Sequence, residues 1–169
     1  MNEDAARLIA RLGLEPLPRE GGFFRRTWTS ETQLSNGRSA GSAITFLLTE
    51  TDFSALHRMP TDELWFFHAG DPVEHVRLNA ARSTPIVTVL GANPAIDQTP
   101  QLIVTGGVWQ GARLGQVSTR TNRVPPQGWA LMSCTMAPAW DEAEFELGDR
   151  AALLREFSEA AQWIHGLTR

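Results

Sequence analysis

The feature that most constrains this fold is a succession of short apolar runs, each closed by residues that favour turns. The runs are rich in β-branched and aromatic residues, and they are Ala43 to Leu48, Val73 to Leu78, Ile86 to Leu90, Leu102 to Val104 and Trp129 to Met136. Glycine and proline cluster between them, at residues 70–72, 91–94, 106–107 and 125–128. Many short strands with frequent turns, and no helix alternating with them, are typical of an antiparallel sandwich or barrel. We therefore predict an all-β core.

Two helices are predicted outside this core. Asp4 can cap a short helix that runs to about Leu12, and Asp149 can cap a longer one that runs to about residue 165. Gly13 and Gly166 follow the two apolar stripes and are typical helix stops. The sequence thus predicts one domain over residues 1–169: an N-terminal helix at about 1–14, a β-sandwich or barrel at about 15–147, and a C-terminal helix at about 149–165.

Composition restricts the classes of partner. The 169 residues are 42% hydrophobic and 20% charged, with a formal charge of −4, which disfavours nucleic acid and anionic membranes as main partners. One cysteine, Cys134, has no partner for an internal disulfide, as expected for a reducing compartment. The acidic start MNEDAARL is unlike a signal peptide, and no apolar run reaches membrane-spanning length. We predict a cytoplasmic protein without a nucleic-acid or membrane partner.

The stretch from Ser54 to Gly70, SALHRMPTDELWFFHAG, carries the main candidates for chemistry. If residues 55–58 and 63–68 form a tight hairpin, His57 and Glu63 can point into the same cavity. An imidazole beside a carboxylate is the elementary requirement for a metal site or an acid–base pair. Strand alternation places Trp65 on the face of Glu63 and His68 on the opposite face.

Common catalytic motifs are absent from the sequence. It contains no phosphate loop, no dinucleotide-binding glycine motif, no H-E-x-x-H, no C-x-x-C and no G-x-S-x-G. It also contains no tyrosine, so a phenol of this chain is not available as a proton donor.

A family resemblance follows from the order of several segments. His57 is followed by Glu63, Gly70 and then the glycine-rich VTGGVWQGA, and further matching segments are LIARLGLEPLP, EGGFF, DELWFFHAGDPVE and CTMAPAWD. Together they resemble the cupin superfamily, in the branch filed as a domain of unknown function and related to the dTDP-sugar epimerase (RmlC-like) jelly rolls. The resemblance covers nearly the whole chain. It implies a cupin double-stranded β-helix, or jelly roll, and a homodimer.

The departures from the cupin pattern concern metal ligands. The resemblance places His57 at the first histidine of the pattern, whereas Met59 stands at the second and Gln110 at the histidine of the second motif. One histidine, Glu63 and a weak amide oxygen would hold zinc or iron poorly. The expectation is therefore no firmly bound cofactor, with a weakly bound divalent metal on His57, Glu63 and Gln110 as the alternative.

Function stays open between catalysis and binding. The resemblance implies a small organic, carbohydrate-like ligand in the barrel, and His57 as a base oriented by Glu63 would make the protein a metal-independent isomerase, epimerase or lyase. A non-catalytic small-molecule-binding protein and a metal-dependent cupin oxygenase are the alternatives. The expected ligand-binding residues are Met59, Trp65, Phe67, Trp109 and Gln110.

The remaining candidates are predicted to have structural roles. His68 is expected in packing or at a dimer interface, Cys134 in the core, and Arg25 and Arg26 on a solvated strand face. Residues 141–146 are expected to form a solvated acidic edge. His75 shows no partner in the sequence.

Overall fold

Twelve strands and three α-helices make up the computed structural model, which describes residues 2–82, 84–115 and 126–169. The helices are α1 (Glu3–Leu12), α2 (Arg150–Glu156) and α3 (Ala161–Gly166). The strands are β1 (Glu15–Pro16), β2 (Phe23–Thr29), β3 (Ser42–Thr49), β4 (Ser54–Arg58), β5 (Glu63–Gly70), β6 (Val73–Leu78), β7 (Ile86–Leu90), β8 (Gln98–Thr99), β9 (Gln101–Val104), β10 (Trp109–Leu114), β11 (Trp129–Met136) and β12 (Glu146–Leu147). Three single-turn 3₁₀ helices lie at Pro94–Ile96, Glu142–Glu144 and Ser158–Ala160.

The strands form two six-stranded sheets. The first sheet has the order β1-β2-β3-β11-β5-β9 and the second has the order β12-β4-β10-β6-β7-β8. Neighbouring strands are antiparallel, except for the short β7–β8 pair. The predicted all-β jelly roll with a short N-terminal helix and C-terminal helical structure is confirmed.

One core lies between the two sheets. Strand β11 shows why: its alternate residues Ala130, Met132, Cys134 and Met136 are buried, while those between them are half-exposed. This period of two is that of a strand with one face on a core. The residues that pack there include Phe46, Leu48, Trp65, Val73, Leu90, Leu102 and Val104.

A second core lies outside the second sheet, beneath the C-terminal helices. Leu153, Phe157 and Ile164 pack there on Leu56 and Val76 of the sheet's outer face. The helices therefore cover one side of the sheet and leave its inner side to the barrel.

The helix ends differ from those predicted. The side chain of Asn2, rather than Asp4, caps α1 by accepting from the amide of Ala5 at 2.9 Å, and Gly13 ends it with φ of 61° as expected. Asp149 caps α2 as predicted, accepting from Ala152 at 2.8 Å. The predicted single helix over 149–165 is wrong, because the chain leaves helical geometry at the buried Phe157 (φ −127°, ψ 59°).

The predicted hairpin of residues 55–58 and 63–68 is also wrong. Strand β4 pairs with β10 and β12 in the second sheet, whereas β5 pairs with β11 and β9 in the first. The turn between β4 and β5 thus crosses from one sheet to the other, and His57 and Glu63 approach the barrel interior from opposite sheets.

The glycine-rich turn between β9 and β10 supports this crossing. The amide of Gly107 donates to the carbonyl of Met59 at 2.7 Å, and the amide of Gly106 donates to the carboxylate of Asp62 at 2.8 Å. A Cβ on Gly106 would lie 2.1 Å from the carbonyl oxygen of Pro60, so only glycine permits this approach.

No helix among the described residues is long and apolar enough to cross a membrane.

Candidate functional site

A cavity of about 440 Å³ opens at one end of the barrel. Four of the predicted site residues line it: His57, Met59, Glu63 and Trp65. Further aromatic side chains form its walls, namely Phe24, Phe46, Trp140 and Phe145. Other polar side chains at the cavity are Glu15, Arg19, Glu20, Arg26, Cys134 and Glu142. A pocket that combines aromatic walls with convergent polar groups is typical of a small-molecule site.

The backbone fixes the tautomer of His57, which corrects the prediction that Glu63 orients this ring. The ring is 3% exposed, and its Nδ1 lies 2.8 Å from the carbonyl oxygen of Ala55 on the same strand. A carbonyl oxygen only accepts, so Nδ1 of the neutral ring carries the hydrogen and Nε2 keeps its lone pair. Because Nδ1 is bound to the strand, Nε2 is the nitrogen that faces the cavity. Phe145 stacks on the ring, with centroids 5.3 Å apart and planes at 21°.

Glu63 is the buried carboxyl of the site. Burial raises its pKa above the usual value, the charge of Glu20 acts in the same direction, and His57 and hydrogen bonds from Gln110 and Cys134 act against this. A buried carboxyl without a paired cation favours its protonated form. Glu63 can therefore supply a proton in the same cavity in which His57 can accept one.

Gln110 lies behind the cavity wall, where it holds Glu63. Its side-chain oxygen accepts from the indole Nε1 of Trp65 at 3.1 Å, and its Nε2 donates to Oε2 of Glu63 at 2.6 Å. An indole N–H only donates, which fixes the orientation of the amide. The amide oxygen is thus turned away from the cavity, which corrects the expectation that Gln110 offers an oxygen to a metal.

His75 completes this network, although the sequence predicted no partner for it. It is fully buried, its Nε2 donates to the oxygen of Gln110 at 3.2 Å, and its ring meets Trp65 edge-on at 5.0 Å. Burial lowers the pKa of His75 to about 3, with a smaller contribution from the charge of Arg77. The alternation in VEHVRL places His75 with Val73 on the inner face, and that signal could have identified it.

Two predicted wall residues lie elsewhere. Trp109 precedes the inward-facing Gln110, so strand alternation turns it outward, where it packs under the C-terminal helices and beneath Arg58. Phe67 lies on the face of Trp65 but packs against the filled part of the barrel, where β5 and β11 shift register. The expectation that these two rings line the cavity is therefore wrong.

Glu20 also lines the cavity, and it was not among the predicted site residues. Its Oε1 accepts from the hydroxyl of the fully buried Ser54 at 2.7 Å, and its backbone oxygen accepts from Ala55 at 2.9 Å. Gly21 follows with φ of 102°. A Cβ at this position would lie 2.4 Å from the carbonyl oxygen of Phe53, so the turn can pack this closely only with glycine. The only signal in the sequence was the segment REGGFF, in which two glycines force a turn directly after a charged residue.

Cys134 lies beside Glu63, at the floor of the cavity rather than wholly within the core. Burial raises the pKa of its thiol well above the usual value, and the nearby carboxylates of Glu63 and Glu20 act in the same direction. The thiol is therefore held protonated and is not an activated nucleophile.

The rim of the cavity holds two arginines. The guanidinium of Arg19 lies 4.6 Å from the ring centre of Phe145, donates to its carbonyl at 3.3 Å and lies 3.9 Å from Glu142. Arg26 lies 5.4 Å from the ring centre of Trp140. Arg26 and Glu142 thus border the cavity, whereas they were predicted to be ordinary solvated residues. His68 is exposed on the opposite face of β5 and lies 2.9 Å from the hydroxyl of Ser133.

The donor set does not suit a tightly held transition metal. Within the ranges that the structure describes, no three histidine, cysteine, aspartate or glutamate side chains are grouped as metal ligands would be. His57 offers one imidazole nitrogen and Glu63 one carboxyl, while the oxygen of Gln110 is occupied by two N–H donors. Zinc and iron sites in proteins need three or four such ligands.

Comparison with known proteins places this geometry in context. A family described as "Cupin superfamily (DUF985)" matches residues 6–148. A protein of Shewanella oneidensis, solved by crystallography, is 30% identical with a TM-score of 0.86, covering 100% of this chain and 98% of that one. A hypothetical protein from Leishmania major is 27% identical with a TM-score of 0.85, covering 97% and 98%. No curated protein matches the chain.

More distant neighbours share the fold. Oxalate decarboxylase from Bacillus subtilis is 10% identical with a TM-score of 0.55, covering 91% of this chain and 37% of that one. At this identity the likeness concerns the barrel alone.

Proposed function

The chain belongs to the DUF985 family of the cupin superfamily, and from this premise we propose that its barrel binds a small organic ligand and catalyses a proton transfer on it. One observation carries the proposal. The hydrogen bond from Nδ1 of His57 to Ala55 leaves the lone pair of Nε2 facing a cavity that also contains a carboxyl with a raised pKa. Two titratable groups whose surroundings favour opposite roles are the usual components of acid–base catalysis.

In this reaction Nε2 of His57 takes a proton from a carbon of the ligand. Glu63 supplies a proton to an oxygen of the ligand, and the proton sits on Oε1, because Oε2 accepts from Gln110. If the oxygen is a carbonyl, the product is an enol, and return of the proton to another carbon or to the other face gives an isomerase or epimerase. If the oxygen leaves, the reaction is an elimination, as in a lyase.

The composition of the chain limits which other side chains could take part in the reaction. The chain contains neither tyrosine nor lysine, so neither a phenol donor nor a Schiff base on its own side chain is available. The thiol of Cys134 has a raised pKa and is a poor proton carrier at neutral pH. These facts favour the pair of His57 and Glu63 over the alternatives within the cavity.

The ligand can be carbohydrate-like in size and shape. The aromatic walls supply flat apolar faces, and the rim and floor supply polar groups. The same features also suit a protein that binds a small molecule without converting it. The metal-dependent oxygenase is the less favoured alternative, because the oxygen of Gln110 is occupied.

Solvent deuterium exchange tests the proposal. The protein is incubated in D₂O with small hydroxyketones and keto-sugars, beginning with dihydroxyacetone, and loss of C–H signals is followed by proton NMR. We expect exchange with the wild type and a fall of about 100-fold or more in His57→Asn, since a positioned base contributes on that order. His165→Asn, at an exposed position of α3, is the matched control and retains the wild-type rate.

Two results would contradict catalysis. Equal exchange by His57→Asn and the wild type would remove His57 as the base. A ligand that binds but never exchanges, with His57→Asn altering affinity only, would identify a binding protein instead.

We also propose that the chain forms a homodimer through the outer face of the first sheet. Ile103 of β9 is 53% exposed there, next to the half-buried Leu64 and Phe66 of β5. Apolar side chains grouped on an open sheet face favour a protein contact. The cytoplasmic location stays a prediction.

A further inference from the structure

We infer that the ligand of this cavity carries a positively charged nitrogen, which binds at the carboxylate of Glu20. The inference rests on the proposed function for the identity of the site, but it does not require that the bound ligand be converted. It names the chemical class of the ligand.

Glu20 is held in place as part of a built site. Its Oε1 accepts from the buried hydroxyl of Ser54, its backbone oxygen binds Ala55, and the tight turn at Gly21 packs against the backbone of Phe53. The carboxylate thus loses little conformational freedom on binding a ligand. The second oxygen, Oε2, makes no hydrogen bond to the part of the chain that the structure describes.

No arginine of the described residues places its charge at the cavity floor. Within those residues neither Glu20 nor Glu63 forms an ion pair with an arginine, and the sequence contains no lysine. The rim arginines have other contacts, since Arg19 is held by Glu142 and Phe145, and Arg26 lies over Trp140. The field of Glu20 reaches the floor, where it helps to raise the pKa of Glu63 and of Cys134. An anionic group at this depth would be repelled, and a cation would be stabilised.

A second, independent feature points to the same class. His57 is only 3% exposed. Its Nε2 faces the cavity and makes no hydrogen bond to the described residues. The lone pair on Nε2 of His57 can accept a hydrogen bond, and so can Oε2 of Glu20. A protonated amine brings several N–H donors to such a pair of acceptors.

The walls also favour a cation. Four rings line the cavity: Trp65 and Phe46 are fully buried, and Phe24 and Phe145 are half-buried. Aromatic faces attract ammonium groups, most strongly where water is excluded. The combination of one oriented carboxylate, one imidazole lone pair and aromatic walls therefore selects a desolvated amine over a neutral or anionic group of the same size.

A matched set of three small compounds tests the inference. Benzylamine, benzyl alcohol and benzoate share a ring that suits the aromatic walls and differ in charge. Isothermal titration of the full chain at pH 7 is expected to show benzylamine binding at least about tenfold tighter than benzyl alcohol, and benzoate binding more weakly than either.

Glu20→Gln identifies the carboxylate as the cause. The amide keeps an oxygen for the hydroxyl of Ser54 but loses the charge, so benzylamine and benzyl alcohol should then bind within about twofold of each other. Glu31→Gln, on the exposed surface, is the matched control and keeps the preference. If Glu20→Gln does not fold, added salt provides the second measurement, since it weakens benzylamine binding and leaves benzyl alcohol unchanged.

Three results would overturn the inference: no binding of benzylamine at millimolar concentration, benzoate binding as tightly as benzylamine, or an undiminished amine preference in Glu20→Gln. The outcome is separate from the deuterium exchange test. Amine preference without exchange of any substrate leaves the ligand class standing and removes the proton transfer. Exchange of neutral ketones without amine preference leaves the proton transfer standing and overturns the ligand class.

Discussion

The side chain of Gln110 has a single possible orientation, because the indole N–H of Trp65 has no lone pair to offer. Once the amide oxygen faces Trp65 and His75, the amide nitrogen must face Glu63. The amide of Gln110 thereby links the side chains of Trp65, His75 and Glu63. A residue that offers no charge of its own decides which oxygen of Glu63 is left for the ligand.

Replacing this amide should destabilise the protein. Gln110→Leu leaves the N–H groups of Trp65 and His75 and one oxygen of Glu63 buried without partners, and each such loss costs about 1–3 kcal/mol. We expect the free energy of unfolding to fall by about 3 kcal/mol or more in urea denaturation. Gln101→Leu, at an exposed position of β9, should change it by less than about 0.5 kcal/mol. Similar losses in both variants would contradict the network.

His75 should make stability depend on pH. Its pKa is about 3 in the folded protein against an ordinary value of 6.5, so the folded state binds fewer protons than the unfolded state between these values. The contribution of the neutral ring is present above pH 6.5 and is lost as pH falls toward 3. Between pH 7.5 and pH 5 this loss is about 2 kcal/mol, at about 1.4 kcal/mol per pH unit below 6.5.

Two variants isolate this effect. In His75→Asn, which keeps an N–H donor for Gln110, denaturation at pH 7.5 and pH 5 should show a loss that is smaller than that of the wild type by about 2 kcal/mol. His165→Asn, at an exposed position of α3, should lose as much stability as the wild type. Parallel losses in His75→Asn and the wild type would show that another group titrates.

At this scale the sequence predicted some site residues and not others, for a physical reason. Glu63 and Trp65 lie on one strand, so alternation, a local property, predicts their common face. His57 was placed beside them through a hairpin that does not form, and it reaches the cavity from the opposite sheet. Glu20 reaches the cavity only because the turn before β2 docks on the start of β4, through Ser54 and Ala55. Contacts between residues so distant in the chain leave no periodic signal.

Among the elements, the crossing from β4 to β5 is the one that creates the site. Its Met-Pro-Thr-Asp sequence has the same residue types as a hairpin turn, which is why local turn chemistry predicted a hairpin. The crossing forms instead of a hairpin because β4 pairs with β10 and β5 pairs with β11. Most of the long strands could therefore be predicted from the sequence, although β10 was not among the predicted runs. Strand partners could not be predicted.

Gly106 should be sensitive to a single methyl group. In Gly106→Ala the new Cβ would meet the carbonyl of Pro60 at 2.1 Å, so the β9–β10 turn and the crossing must move apart. We expect a loss of about 3 kcal/mol in urea denaturation, at the upper end for overpacking, and a matching loss of benzylamine binding as His57 and Glu63 shift.

The neighbouring glycine is the control for this prediction. Gly107 has φ of 83° but nothing within 4 Å of its Cβ position, so Gly107→Ala should cost only the backbone strain of about 1–2 kcal/mol. It should also retain ligand binding. If Gly107→Ala were as damaging as Gly106→Ala, backbone conformation rather than the contact with Pro60 would be the cause.

For the whole molecule, the two sheets differ in what covers their outer faces. The C-terminal helices bury the outer face of the second sheet, whereas Ile103 on the outer face of the first is 53% exposed. On the first sheet Leu64 and Ile103 are directly paired across β5 and β9, and Phe66 follows on the same face. The apolar pattern on both faces of β5 could be predicted from the sequence. In the proposed homodimer a second copy of the chain would cover the outer face.

A charge on this face should therefore separate the proposed dimer. Ile103→Glu places a carboxylate at a position that is 53% exposed in the single chain but would be desolvated between two copies. Light scattering after gel filtration should give twice the chain mass of 18.7 kDa for the wild type and the chain mass for Ile103→Glu. Val87→Glu, 40% exposed on the other sheet, is the matched control and should stay dimeric. A wild type of single-chain mass would refute the dimer, and dissociation by Val87→Glu would place its interface on the second sheet.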